Sequence, residues 1–382
     1  MFPKHLKNKL ADREKINAFR QLGNRNGLVD FSSNDYLGFS KSEVIFKNTI
    51  QFLEVQNLKH NGATGSRLIT GNHKLYNDVE QMLAENYNSE SALIFSSGYD
   101  ANLGFFSCVP QRNDIILHDE LVHASIRDGI TMSKANSYKF RHNDLEDLKR
   151  HLKRSKEILE HTAELYVVTE SVFSMDGDTP NLIKLSELCK DHNANLIIDE
   201  AHAIGVFGHQ GKGLIFDLGL EKDVFARIIT FGKALGGHGA AILGSDVLKQ
   251  FLINFCRPFI YTTGLSPHSL ATIFVAHKEL NSTKNIESLR ENINTFKTET
   301  ERLKIENCFL ESDSAIQCCI IPGNDYVKDR AIELQAQGFD VRPILSPTVK
   351  EGKERLRFCL HSFNSTDEIR QVLKHLEQVL KK

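Results

Sequence analysis

Three segments of this 382-residue chain carry side chains whose types and spacing could do chemistry together. NLIIDEAHAIG puts Asp199 at the carboxyl end of an apolar run, where open α/β sheets bind ligands, and His202 follows three residues later. A carboxylate at the mouth of an apolar strand is costly unless it meets a positive partner, and a protonated pyridine nitrogen would be one. RIITFGKALGGHGAAI sets Lys233 just after another apolar run, between Gly232 and the stretch Gly236-Gly237-His238-Gly239. A lysine flanked by small residues suits a desolvated amine poised for Schiff-base chemistry. SALIFSSGYDANLGF runs from a strand through Ser96-Ser97-Gly98 into a helix, whose free N–H groups and positive dipole end favour a phosphate. Alone, each segment has a plain alternative: a β–α turn, a turn-capping aspartate, a solvated loop lysine. Their order, strand–Asp–x–x–His and then strand–Gly–Lys about thirty residues on, fits pyridoxal 5′-phosphate. Such sites pair a Schiff-base lysine with an acid on the pyridinium nitrogen.

Other chemistries fit less well. A phosphate loop ending at Gly211-Lys212 needs Gly at 206 and Ser or Thr at 213, where the chain has Val206 and Gly213; Gly232-Lys233 would need Gly at 227 and has Arg227. GATGSRLITG at 62–71 follows no apolar strand, so it is no dinucleotide fingerprint. His118 and His123 stand five apart, not the four of a zinc-binding helix pair, and no metal is expected.

The elements that must position these groups repeat one theme. Apolar runs at 91–95, 114–118, 165–169, 195–200 and 227–231 alternate with helical patterns such as Leu75, Val79, Met82, Leu83 and Leu145, Leu148, Leu152. Continuous β-branched runs suit strands buried on both faces, hence a mostly parallel sheet. Beyond about residue 275 the chain turns to charged amphipathic stretches with strands at 315–321 and 355–360. A closing helix is signalled by the capping box Ser365/Glu368 and the stripe Ile369, Val372, Leu373, Leu376, Leu380. A first helical period in Leu10, Ile16 and Phe19 ends at the breakers Gly23 and Gly27. The expectation is an α/β chain: an N-terminal arm (1–45), a large cofactor domain (46–275) and a smaller α+β domain (276–382).

Lys plus Arg total 47 against 49 Asp plus Glu, a net charge of −2 that speaks against a nucleic-acid partner. Seven scattered cysteines without a Cys-x-x-Cys pair point to a reducing cytoplasm. The start, MFPKHLKNKLADREKINAF, has no apolar signal core, and no window is long enough to span a membrane.

Taken together, the motifs resemble a fold-type I pyridoxal-phosphate transferase of the α-oxoamine synthase family. The resemblance runs from FSSNDYLGF at 31–39 through GATGSRLITG, FSSGYDAN, LVHASIRDG, VVTESVFSMDGDTP, IIDEAH, ITFGKALGG and FIYTTGLSP to RLRFCLHSF at 355–363. It implies decarboxylative condensation of an amino acid with an acyl thioester. FSSNDYLG, SAIQ at 314–317 and SPTV at 346–349 favour L-alanine and a pimeloyl thioester, on CoA or acyl carrier protein, in biotin biosynthesis. Other members, such as 2-amino-3-ketobutyrate CoA ligase, use glycine with acetyl-CoA.

By resemblance, Lys233 binds the cofactor, Asp199 its ring nitrogen and His202 its phenolic oxygen, while His123 stacks on the ring. Ser174 also contacts the cofactor, and Gly98, Tyr99 and Thr230 surround its phosphate, with Thr262 or Thr263 reaching it from a second subunit. Arg357 binds the amino-acid carboxylate, and Arg20 and Thr348 match substrate-contacting positions. A homodimer with shared sites is implied. The competing class, a non-catalytic partner subunit with this fold, would have lost the lysine that this chain keeps.

Overall fold

The computed structural model describes residues 2–22, 27–158, 160 and 162–381; Gly23 lies outside them. The apolar runs form a seven-stranded sheet: β1 (Ser91–Phe95), β2 (Ile115–Asp119), β3 (Asn136–Phe140), β4 (Leu165–Glu170), β5 (Asn195–Asp199), β6 (Ala226–Thr230) and β7 (Ala240–Gly244). Their spatial order is β1-β7-β6-β5-β4-β2-β3. Strands β2 to β6 are parallel, and β7 runs antiparallel to its neighbours β1 and β6.

Both faces of this sheet are covered, which is why its strands read as unbroken apolar runs. Ile116, Tyr166, Val168, Ile197 and Ile228 pack with Phe105, Phe106 and Ile126. The residues alternating with them, Ile115, Leu117, Leu165, Val167, Leu196 and Ile198, pack with Leu148, Leu152 and Leu185 instead. Each such side chain contributes about 1.5–3 kcal/mol by leaving water.

The chain divides into two compact units. The sheet lies in Leu37–Phe173 with Thr179–Ile286; Met1–Tyr36, Ser174–Asp178 and Glu287–Lys382 make the other. This second unit holds an antiparallel sheet of β8 (Ile316–Ile320), β9 (Arg342–Ile344) and β10 (Arg355–Cys359), with β10 central. Val29–Asp30 pairs in parallel with Phe339–Asp340. The final helix, Thr366–Leu380, starts at the expected Ser365/Glu368 capping box, and Val379 rather than Leu380 completes its buried stripe. The first helix, Lys4–Lys15, buries no residue. It stops short of Ile16 and Phe19 because Asn17 takes a left-handed conformation, φ 50°. Among the described residues no helix is long and apolar enough to cross a membrane.

Behind the carboxyl edge of the sheet lies a buried polar brace. The Arg227 Nε donates to Glu200 Oε2 at 2.9 Å and its Nη1 to the Tyr87 carbonyl at 2.9 Å, while Glu200 Oε1 accepts from the Ile215 N–H at 3.0 Å. Removing one partner of so buried a pair would strand the other charge. Alongside, His277 Nδ1 donates to the Ile273 carbonyl at 2.7 Å, so Nε2 accepts from the Tyr87 hydroxyl at 3.1 Å. Burial pushes His277 down to about 4.

Between about pH 6.5 and 4 the unfolded chain therefore binds a proton at this histidine that the folded chain refuses, so stability falls as pH falls through that window. We expect His277→Gln to flatten that slope in urea denaturation by up to about 3 kcal/mol. Identical slopes for the two proteins would contradict it.

Candidate active site

Parallel strands bring their carboxyl ends to one edge, and the singled-out residues of the large-sheet unit stand there. Asp199 closes β5, Thr230 closes β6 with Lys233 three residues on, and Ser96-Ser97-Gly98 follows β1. The helix Gly98–Cys108 is capped by Ser97, whose Oγ accepts from the Asp100 N–H at 3.0 Å. A Cβ on Gly98 would sit 3.6 Å from Thr230 Oγ1, so the helix N-terminus lies directly against the end of β6. Thr263 is placed beside the same turn, its carbonyl accepting from Ser96 Oγ at 3.1 Å. Tyr99 is exposed, and its hydroxyl donates to the Asp128 carboxylate, which raises the phenol pKa.

Lys233 sits half-buried in a closed turn between β6 and β7: Gly236 N–H donates to its carbonyl at 2.9 Å and Gly237 N–H to the Phe231 carbonyl at 2.7 Å. Gly205, with φ +78°, follows the Asp199–His202 segment, and a Cβ there would come within 2.4 Å of Ala234 Cβ. Only glycine lets these two segments meet. His202 is buried in the turn after Asp199.

One hydrogen-bonded chain fixes both the carboxylate and the imidazole. Asp199 Oδ1 accepts from the Ala201 N–H at 2.9 Å, and Oδ2 from Asn102 Nδ2 at 2.8 Å. Asn102 Nδ2 also donates to Ser125 Oγ at 3.1 Å, and Ser125 Oγ meets His123 Nδ1 at 2.7 Å. The Ser125 main-chain N–H also points at His123 Nδ1, at 3.2 Å. A main-chain N–H can only donate, so Nδ1 is an acceptor and the neutral imidazole carries its proton on Nε2. Loss of hydration lowers the His123 pKa; Asp199 opposes that shift and the Lys233 charge reinforces it.

The remaining expected residues belong to the other unit, where they come together in two pairs. Arg357 Nε donates to the Ser174 carbonyl at 2.8 Å, Nη1 to Cys359 Sγ at 2.9 Å and Nη2 to Asn34 Oδ1 at 3.0 Å, with Tyr36 as a further partner. A carboxylate gripped here would displace the weakest acceptor, the thiol. Arg20 Nη2 donates to Thr348 Oγ1 at 3.3 Å although 328 residues separate them.

Sequence reasoning passed over Glu170, Asn102, Ser125 and Asn34. Glu170 ends the run LYVVTE as Asp199 ends NLIID, so the signal that singled out one acid also marked the other. Asn102 stands four residues after Gly98, on the same helical face.

The donor set suits pyridoxal phosphate: an amine in a fixed turn, an anchored buried carboxylate, an imidazole locked neutral, and a helix N-terminus with no side chain at its first residue. Comparison with known proteins agrees. The aminotransferase class I and II family pattern matches residues 26–376. A Haemophilus influenzae protein provisionally named 8-amino-7-oxononanoate synthase is 36% identical over 350 residues, 91% of this chain and 90% of its own. A solved serine palmitoyltransferase with a PLP internal aldimine superposes with a TM-score of 0.89 at 26% identity, covering 99% of this chain and 98% of that one. The 8-amino-7-oxononanoate synthase from Francisella tularensis gives 0.78 at 28%, covering 93% and 98%. The chain belongs to the aminotransferase class I and II family of transferases. Its place within that class is among the α-oxoamine synthases.

We expect the His123 ring to titrate in proton NMR of the ligand-free protein with a midpoint below about 6.5. Asn102→Ala should cost about 1–3 kcal/mol in urea unfolding, because a buried carboxylate oxygen loses its donor. A midpoint above the ordinary value would contradict a ring kept neutral by loss of hydration.

Proposed function

We propose that the chain is a cytoplasmic, pyridoxal 5′-phosphate-dependent 8-amino-7-oxononanoate synthase, condensing L-alanine with a pimeloyl thioester and releasing carbon dioxide, a step of biotin biosynthesis. The observation that carries this reading is the placement of Lys233 at the edge where Asp199, Asn102, Ser125 and His123 form one hydrogen-bonded chain. Substrate choice is supported by identities of 36% and 38% to relatives provisionally given that name.

The cofactor, when bound, supplies an electron sink for negative charge at the amino acid's α-carbon. Lys233 would hold it through its amine, and the same Nζ is the base that would take the α-proton. Asp199, held by Asn102 and Ala201, keeps a proton on the ring nitrogen. His123 lies against the ring as a neutral group, and His202 donates to the phenolic oxygen. Gly98, Tyr99 and Thr230 hold the phosphate at the helix N-terminus. Ser174 would also contact the cofactor, and Arg357 orients the amino acid through its carboxylate, so that the bond to be broken is fixed. Arg20 and Thr348 contact the acyl substrate, carried on CoA or acyl carrier protein. A second copy of the chain contributes Thr263, and the exposure of Phe46, Val55, Ile69 and Tyr261 supports such a dimer.

Steady-state assays of alanine, glycine and serine against pimeloyl, acetyl and palmitoyl thioesters test the reading. Alanine with a pimeloyl thioester should give the highest kcat/KM, and preference for another pair would move the chain elsewhere in the family. Lys233→Ala should lower kcat at least about a thousandfold and abolish the yellow colour of the loaded protein. Borohydride reduction that tagged another lysine would falsify the assignment.

A further inference from the structure

We infer that Glu170 is a positioning residue of this site, a buried carboxyl that carries its own proton and so leaves Asp199 the charged member of an acid pair. It rests on the proposed function only in taking Asp199 as the working carboxylate.

The geometry begins with the sheet. Glu170 and Asp199 are register partners on the parallel strands β4 and β5, so their side chains leave the same face side by side. Glu170 is 2% exposed and Asp199 4%. Asp199 accepts a hydrogen bond on each oxygen. Glu170 Oε1 is buried with no hydrogen-bond partner among the described residues, and the nearby His123 main chain only partly offsets the cost of ionising it.

Two adjacent buried carboxylates cannot both ionise cheaply, and the proton goes to the one with fewer donors. The charged groups around Glu170 come from every neighbouring element: Asp199 from β5, Asp119 from β2 and Lys233 from the turn after β6. Two of the three are acids. Burial first, and then Asp199, drive Glu170 well above the ordinary carboxyl range, with Lys233 opposing them. His123 is held at Nδ1 by the chain that starts at Asp199, so the charge state of the acid pair bears on it through that chain.

The test compares wild type with Glu170→Gln, Glu170→Ala and Asp199→Asn. Infrared difference spectra of the ligand-free proteins at about pH 8 read the protonated-carboxyl stretch directly. The band should be present in wild type and Asp199→Asn and absent from Glu170→Gln. Superimposable spectra for wild type and Glu170→Gln would overturn the inference. The second readout is the Kd for pyridoxal 5′-phosphate, followed by fluorescence. Glutamine, a neutral mimic of the protonated acid, should bind within about twofold of wild type, and alanine about tenfold more weakly with an unchanged circular-dichroism spectrum. Equal losses in both variants would mean that the ionised form is needed, and no loss in alanine would remove the positioning role; either result overturns the inference. If Glu170→Ala does not fold, the infrared comparison decides alone. Neither readout uses alanine or a thioester, so a failed substrate assignment would leave both results standing.

Discussion

A carboxylate buried at the end of a β-strand is unfavourable unless donors surround it, and the large-sheet unit is organised around meeting that demand at Asp199. The donors cannot come from the strand itself, whose N–H groups are spent on the ladder. They come from the Ala201 N–H of the following turn and from Asn102 on the helix Gly98–Cys108. That helix begins beside the end of β6, with Gly98 next to Thr230. The arrangement that solvates the carboxylate therefore also fixes where an anion would meet the helix N-terminus. The same asparagine reaches Ser125 and, through it, His123, so one amide coordinates three functional groups.

Rigidity at that edge depends on polar groups placed one residue deeper. Glu200 points away from the site into the brace with Arg227, while Asp199 points towards Asn102. Adjacent acids, one closing β5 and one just beyond it, thus do different work because successive side chains of extended backbone leave opposite faces. The glycines of the lysine turn serve close approach rather than looseness: a Cβ on Gly236 would come within 2.2 Å of the Ser40 nitrogen.

Much of this was legible in the residues. Runs such as NLIID and ARIIT are unambiguous because both faces are buried and β-branched side chains fill them. Strands β3 and β7 escaped for opposite reasons. β3, NSYKF, is an edge strand with one buried residue, so it shows no apolar run. β7, AAILG, is buried, but its small residues look like a continuation of the glycine-rich turn. At the site, Lys233, Asp199 and Gly98 announce themselves by unusual neighbours. Asn102 and Ser125 do not, since an amide or a hydroxyl on a helix is ordinary until the fold shows what it faces. The contact between Arg20 and Thr348 was out of reach of any local pattern, because only tertiary folding brings those segments together.

The second unit is discontinuous, and this bears on how the chain is made. Val29–Asp30 finds its strand partner more than 300 residues later, and Ser174–Asp178 leaves the sheet-forming segment to join the same unit. On a ribosome, every strand of the large sheet has been synthesised once Gly244 is added. The first 36 residues must instead wait until Phe339–Asp340 and the strand Arg355–Cys359 have been added. Long-range closure of this kind is slow because the loop entropy is lost before any contact rewards it. Birth order thus separates two folding events, an early one among the large-sheet strands and a late one that waits for Phe339–Asp340 and Arg355–Cys359.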